Sequence, residues 1–212
     1  MESPLLFYQF SMTQVLESGA YDGDLTIGEV KKHGDFGLGT FNGFDGEMVA
    51  IDGEFFKIRA DGTAQPVSPG REVPFASMLF FNPSTTYEIG PVSSAEQLWT
   101  VLAGYLDATR VHAIRIDGEF RWAKTRSVPK QSKPYPSIEE IDKQRTNLER
   151  RFVQGSLVGF RCPECMRGLN VPGYHLHFID QARSWGGHLL DCSAERLIVR
   201  TASTRDVYVQ LP

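Results

Sequence analysis

Cysteine is scarce: three residues in a chain of 212 are too few, and odd in number, for a disulfide framework in a chain long enough to build its own core. A reducing, cytoplasmic setting is the expectation. Long apolar runs are missing too. The longest, around Phe75 to Phe81, falls far short of the roughly 20 residues that cross a bilayer. The opening MESPLLFYQF places Glu2 where a leader peptide needs basic charge, and its apolar stretch breaks early, so no export signal is expected. Basic residues are outnumbered, 22 Lys and Arg against 26 Asp and Glu, and they form no cluster; a nucleic-acid partner is therefore not expected. Neither G-x-G-x-x-G nor G-x-x-x-x-G-K-[ST] occurs, so the 20 glycines announce no nucleotide site. No repeat of solenoid period is visible.

What remains is an ordinary globular composition, with 41% hydrophobic, 11% aromatic and 23% charged residues. Met12, Val15 and Leu16 have helical spacing before Gly19. Thr26 and Glu29 have the capping-box form, in which each side chain satisfies a free backbone N–H of the first turn, and Gly34 offers a left-handed exit. Asp45-Gly46, Asp52-Gly53 and Asp61-Gly62 punctuate short runs as the turns of a β-meander, since Asp-Gly readily takes positive φ. Phe75 to Phe81 reads as an inner strand. Ser94 can cap a helix with an apolar stripe of Leu98, Val101, Leu102, Tyr105 and Leu106. Val111 to Ile116 and Glu119 to Val128 read as a hairpin turning at Asp117-Gly118, followed by a linker, PKQSKPYP. Ser137 and Glu140 repeat the capping box for a helix expected to run towards Glu149, with strands from about Phe152 onward.

Hairpins interrupted by three or four helices predict an α+β fold of mixed or antiparallel sheets rather than a doubly wound parallel sheet. The expected division is an N-terminal α+β half over residues 1–130, holding the Asp-Gly hairpins, and a mostly β half over 131–212. The two halves pack closely or form one continuous domain.

The second half carries the chemistry. In Gly173-Tyr174-His175-Leu176-His177-Phe178 the side chains alternate faces, so His175 and His177 share one face while Tyr174, Leu176 and Phe178 take the other. His188 follows eleven residues after His177, beyond an expected turn at Gly186-Gly187, where a return strand brings it opposite the pair. Three neutral imidazoles leave a fourth position open on a zinc ion, the pattern of a catalytic rather than a structural site. The plainer alternative is three buried histidines bonded to the backbone. Asp180 and Asp191 are candidates to accept the second ring N–H and orient the ligands. Cys162-Pro163-Glu164-Cys165 has no matching second half, and free loop thiols are expected there. His33, at a helix end, and His112 read as structural.

The strings KHGDFGLGTFNGFDGEM (Lys32 to Met48), IRIDGEF (Ile114 to Phe120), KTRSV (Lys124 to Val128), GYHLHFID (Gly173 to Asp180) and GGHLLD (Gly186 to Asp191) occur in an order that resembles the α-acetolactate decarboxylase family. The resemblance runs from about Tyr8 to the end. It implies a homodimeric, zinc-dependent carboxy-lyase that converts 2-acetolactate to acetoin and carbon dioxide through a metal-stabilised enediolate. Carried onto this sequence, it makes His175, His177 and His188 the zinc ligands, Glu47 a catalytic carboxylate near the metal, Arg126 a catalytic and substrate-binding cation, and Thr40 a substrate contact. It also implies a tail beyond the strand at Val207 to Leu211 that brings a second glutamate to the metal; no such residue follows Leu211 in this sequence. The residues alone leave two rivals: a zinc hydrolase of a small ester or lactone, and a non-catalytic metal-binding domain.

Overall fold

The computed structural model describes residues 5–212. Met1 to Pro4, including the Glu2 behind the leader-peptide expectation, lie outside the described residues. Along the chain the elements begin with β1 (Leu6–Phe10), α1 (Thr13–Glu17), β2 (Leu25–Thr26), α2 (Ile27–Val30) and β3 (Phe36–Thr40). There follow β4 (Glu47–Ile51), β5 (Glu54–Ile58), β6 (Ala64–Pro66), β7 (Glu72–Val73), β8 (Phe75–Leu79) and β9 (Thr85–Ile89). Then come α3 (Ala95–Ala103), β10 (Val111–Ser127), α4 (Ile138–Gln144) and β11 (Thr146–Cys162). The described chain closes with β12 (Gly173–Asp180), β13 (Gly186–Thr204) and β14 (Asp206–Gln210). The fold is sheet-rich with few helices.

One mixed sheet has the order β14-β1-β8-β3-β4-β5-β6, antiparallel except for the parallel pair β1–β14. In the other, β10, β11, β12 and β13 pair antiparallel in a ring, because β13 bonds to both β12 and β10, and β9 joins the outer part of β13. Sheet membership crosses residue 130 in both directions: β9 and β10 join the ring, and β14 returns to the first sheet.

Local chemistry explains most elements. Asp52 and Gly53 both have positive φ, 55° and 76°, in the two-residue turn from β4 to β5. Gly46 and Gly62 are also left-handed. The capping boxes of Thr26 with Glu29 and of Ser137 with Glu140 form, and the Ser94 hydroxyl accepts from the Gln97 N–H. α3 buries Leu98 and Leu102 against the ring, where each such side chain contributes about 1.5–3 kcal/mol by leaving water. A second core joins Phe7, Phe36, Leu38 and Val49 of the first sheet with Ala113, Val158, Phe160 and Ile179 of the ring.

Five expectations are corrected. Asp117-Gly118 is not a turn: β10 runs straight through it, because the Asp117 carboxylate is held by Arg115, Ser156 and Arg200, and Gly118 lets Arg196 and Leu197 approach. α4 stops at Gln144, where Arg145 turns extended (ψ 140°), and Thr146–Glu149 pair with β10 instead of extending the helix. Gly34 is extended rather than left-handed and lies flat on the Leu79 backbone. Gly186 and Gly187 are strand residues, not a turn. A Cβ on Gly186 would meet the Phe178 carbonyl, and one on Gly187 the Arg126 carbonyl, so glycine allows β13 to lie between β12 and β10. PKQSKPYP is not a free linker either: the Gln131 N–H bonds to the Gly43 carbonyl and the Tyr135 hydroxyl to Asp22.

Candidate metal centre and its cavity

Backbone register brings the histidines together. His177 on β12 faces His188 on β13, and His188 faces Arg126 on β10 across its other edge. Alternation along β12 then puts His175 on the same side as His177. Their ring centroids lie 5.0–5.4 Å apart, and one nitrogen of each ring falls within 4.8 Å of the others.

Hydrogen bonding argues against the plainer alternative in which these same three histidines are merely bonded to the backbone. His177 is buried, and its Nδ1–H donates to the Met48 carbonyl at 2.9 Å, which leaves the Nε2 lone pair free. That Nε2 and the His175 Nδ1 are buried with no hydrogen-bond partner. Buried polar atoms are nearly always satisfied, so two orphans on adjacent rings need a cause. Burial holds all three imidazoles neutral, aided by neighbouring rings and Arg126; His175 is pushed down to about 4, and His177 and His188 well below the ordinary value. Neutral, convergent nitrogens are what a divalent ion requires of imidazole ligands. The three residues fit a metal.

Asp180 and Asp191 do not orient these rings. Asp180 accepts from the Ser184 and Trp185 N–H groups in the β12–β13 turn, and Asp191 accepts from the Ala95 N–H at the start of α3. The orienting group is the Met48 carbonyl, a backbone atom with no sequence signature.

Glu47 opens β4 directly after left-handed Gly46 and is buried, its Oε2 3.4 Å from the His177 Nε2. Loss of hydration pushes its carboxyl up to about 7, against the opposing pull of Arg126. Thr40 pairs with Glu47 across β3 and β4, and its hydroxyl donates to the Gly46 carbonyl at 2.7 Å, fixing the turn that delivers Glu47. Arg126 is partly exposed, with Nη1 3.8 Å from Asp142 of α4.

All six residues line one cavity of about 180 Å³. Its remaining wall is largely apolar, with Leu16 of α1, Phe44, Phe75, Ile138 and Val171. Sequence reasoning did not identify these wall residues, because they come from separate segments and look like any other core positions. Glu17 and Thr13 of α1 also reach the cavity.

Elsewhere the plain readings hold. His33 stacks on Tyr8 with centroids 3.8 Å apart, and a ring nitrogen of His112 bonds to the Asp107 carbonyl at 2.9 Å. The cysteines are free, but only Cys165 is exposed; Cys162 is buried at the end of β11 rather than in a loop, and Cys192 is buried in β13.

A sheet-rich scaffold whose small cavity gathers three neutral imidazoles, a carboxyl and a guanidinium defines an enzyme with a candidate metal centre. Comparison with known proteins narrows the class. The family model for alpha-acetolactate decarboxylase matches residues 7–212. The alpha-acetolactate decarboxylase of Methanosarcina mazei is 43% identical over 192 residues, covering 90% of this chain and 67% of that protein. The one from Methylococcus capsulatus is 40% identical over 206 residues, covering 97% and 79%. The crystal structure of alpha-acetolactate decarboxylase from Bacillus subtilis strain 168 superposes with a TM-score of 0.95 at 41% identity, covering 98% of this chain and 89% of that one. The chain belongs to the alpha-acetolactate decarboxylase family, whose chemistry is that of a carboxy-lyase.

Proposed function

We propose that this chain converts 2-acetolactate to acetoin and carbon dioxide, using zinc held by His175, His177 and His188. The observation that carries the reading is the pair of buried, unpartnered imidazole nitrogens converging with His188 on the cavity that Glu47 and Arg126 also line. When bound there, zinc supplies a Lewis acid for the negative charge left as carbon dioxide departs. Everything else falls to the protein. The Arg126 guanidinium, with fixed donors, suits the substrate carboxylate and orients the bond that breaks. That C–C bond leaves its electron pair on the remaining fragment, which takes up one proton to become acetoin. Glu47 is the group placed to hold and pass that proton at Oε2, and the Thr40 hydroxyl keeps its strand start in place. The apolar wall limits water around the reacting carbon. The family resemblance further supports a homodimer, and three free thiols suit a reducing cytoplasm.

The test is acetoin formation from racemic 2-acetolactate by purified protein, corrected for spontaneous decarboxylation, before and after chelation and zinc addition. Chelator-sensitive, zinc-restored turnover supports the reading. A folded, zinc-loaded sample that makes no acetoin overturns it, and release of acid from small esters or lactones by that sample would favour the hydrolase instead.

A further inference from the structure

Next to the rim of the cavity, where Val171 is 40% exposed, lies a buried polar cluster with no part in the proposed chemistry. Gln9 of β1, Ser77 of β8 and Asn170 in the loop before β12 are all 2% exposed or less. Asn170 Nδ2 donates to Gln9 Oε1 at 2.6 Å and to Ser77 Oγ at 3.0 Å, and its Oδ1 accepts from the Val171 N–H at 2.7 Å. Gln9 Nε2 donates to the Ser11 carbonyl at 3.0 Å and also to the Leu169 carbonyl. The Thr13 and Gln14 N–H groups, free donors at the start of α1, bond to the Leu169 and Gly168 carbonyls, each at 3.0 Å. One amide pair therefore clamps the start of α1 to the loop that leads into the histidine strand.

The clamp holds a costly conformation. Ser11, the link from β1 to α1, is fully buried and has φ 66°, a left-handed backbone that a non-glycine residue adopts only when its surroundings impose it. Its carbonyl is one of the two that Gln9 holds. The elements joined in this way are those that furnish Leu16 and Val171 to the cavity wall.

We infer that Gln9, Ser77 and Asn170 are positioning residues that lock α1 and the Gly168–Pro172 loop into the mouth of the cavity and so set its fit to substrate. This rests on the reading that the cavity binds substrate, and its test includes a measurement independent of catalysis. In Asn170→Ala, hydrogen exchange at the Thr13 and Gln14 amides, neither of which bonds to Asn170, should quicken about ten-fold as the mouth loosens. KM for 2-acetolactate should rise about five- to ten-fold with kcat within about two-fold and zinc content unchanged, since binding is lost without loss of transition-state contacts. Ser77→Ala removes one bond only and should move both quantities the same way by about two-fold. Leu102→Ala, in the core between α3 and the ring, is the control: it should lower Tm and leave both quantities at wild type. Unchanged exchange and KM in the Asn170 variant, or an equal rise in KM in the control, would overturn the inference. Should Asn170→Ala fail to fold, Ser77→Ala decides by the same readouts. If the wild type turns over no acetolactate, the functional reading fails, and amide exchange alone decides the clamp.

Discussion

Two of the clefts that gather ionisable side chains differ in what those side chains leave unpaired. At the larger, of about 410 Å³, Arg115 meets Asp52 and Asp117, Arg200 reaches Asp117 from outside the lining, and Asp117 also accepts from the Ser156 hydroxyl; Arg183, 3.7 Å from Asp52, leaves one buried nitrogen, Nη1, unpartnered. Asp117 of β10 is thereby tied to β11 through Ser156 and to β13 through Arg200. Among the described residues, the smaller holds three neutral imidazoles with two orphaned nitrogens, the Glu47 carboxyl lies 3.4 Å from one of those nitrogens, and Arg126 reaches only Asp142. A paired network spends its polar groups on the fold. An unpaired one keeps them for something that arrives later, and burial raises what each missing partner costs. The smaller cleft is thus the functional candidate although the larger holds more charge.

The comparison breaks most sharply at His177. On the proposed zinc reading, replacing it with alanine removes a ligand whose ring is already fixed through Met48, so the protein should lose zinc and at least about a thousand-fold in activity, as expected when a Lewis acid worth several kcal/mol goes. Metal analysis and the acetoin assay check this together; a metal-free variant that kept full turnover would sink the metal reading. Glu47→Gln is next. It keeps the shape of the carboxyl but cannot carry its proton, and activity should fall about 10²- to 10³-fold while zinc stays bound. If zinc is lost as well, Glu47 is a ligand rather than a proton carrier. Arg126→Lys keeps the charge without the two-pronged geometry, and kcat/KM should drop about ten-fold, read from initial rates against substrate concentration.

How much of this was legible beforehand depended on the range of the interaction. The histidine pair could be read from alternation on one strand, and the turns and caps from Asp-Gly and Ser/Thr-x-x-Glu spacing, because these are local rules. The Asp117-Gly118 turn misled for the opposite reason. Its local signal is genuine, but Arg115, Ser156 and Arg200 offer the Asp117 carboxylate partners within a continuous strand, and the strand wins. Gly186-Gly187 looked like punctuation and instead permits β13 to sit between two neighbours. The roles of Glu47, Arg126 and Thr40 came from family resemblance alone, since no spacing rule links β3, β4 and β10 to a histidine strand more than 45 residues further on. The apolar wall and the Met48 carbonyl had no signal of either kind.

The smallest expected effect sharpens the comparison from the other side. Asp117→Asn leaves the shape of the larger cleft intact but removes the charge that Arg115 and Arg200 share, and the new amide presents a donor towards guanidinium groups that can only donate. Because Asp117 is partly open to water, with its side chain 24% exposed, the loss is screened and should come to about 1–2 kcal/mol rather than the larger cost of a fully buried pair. Chemical denaturation should register it as a lower midpoint with the slope unchanged. Activity and zinc content should stay at wild type, because none of these residues lines the histidine cavity. If kcat falls instead, the paired cleft is coupled to the site through β10, the strand that carries both Arg115 and Arg126, and the division between a structural network and a functional one no longer holds.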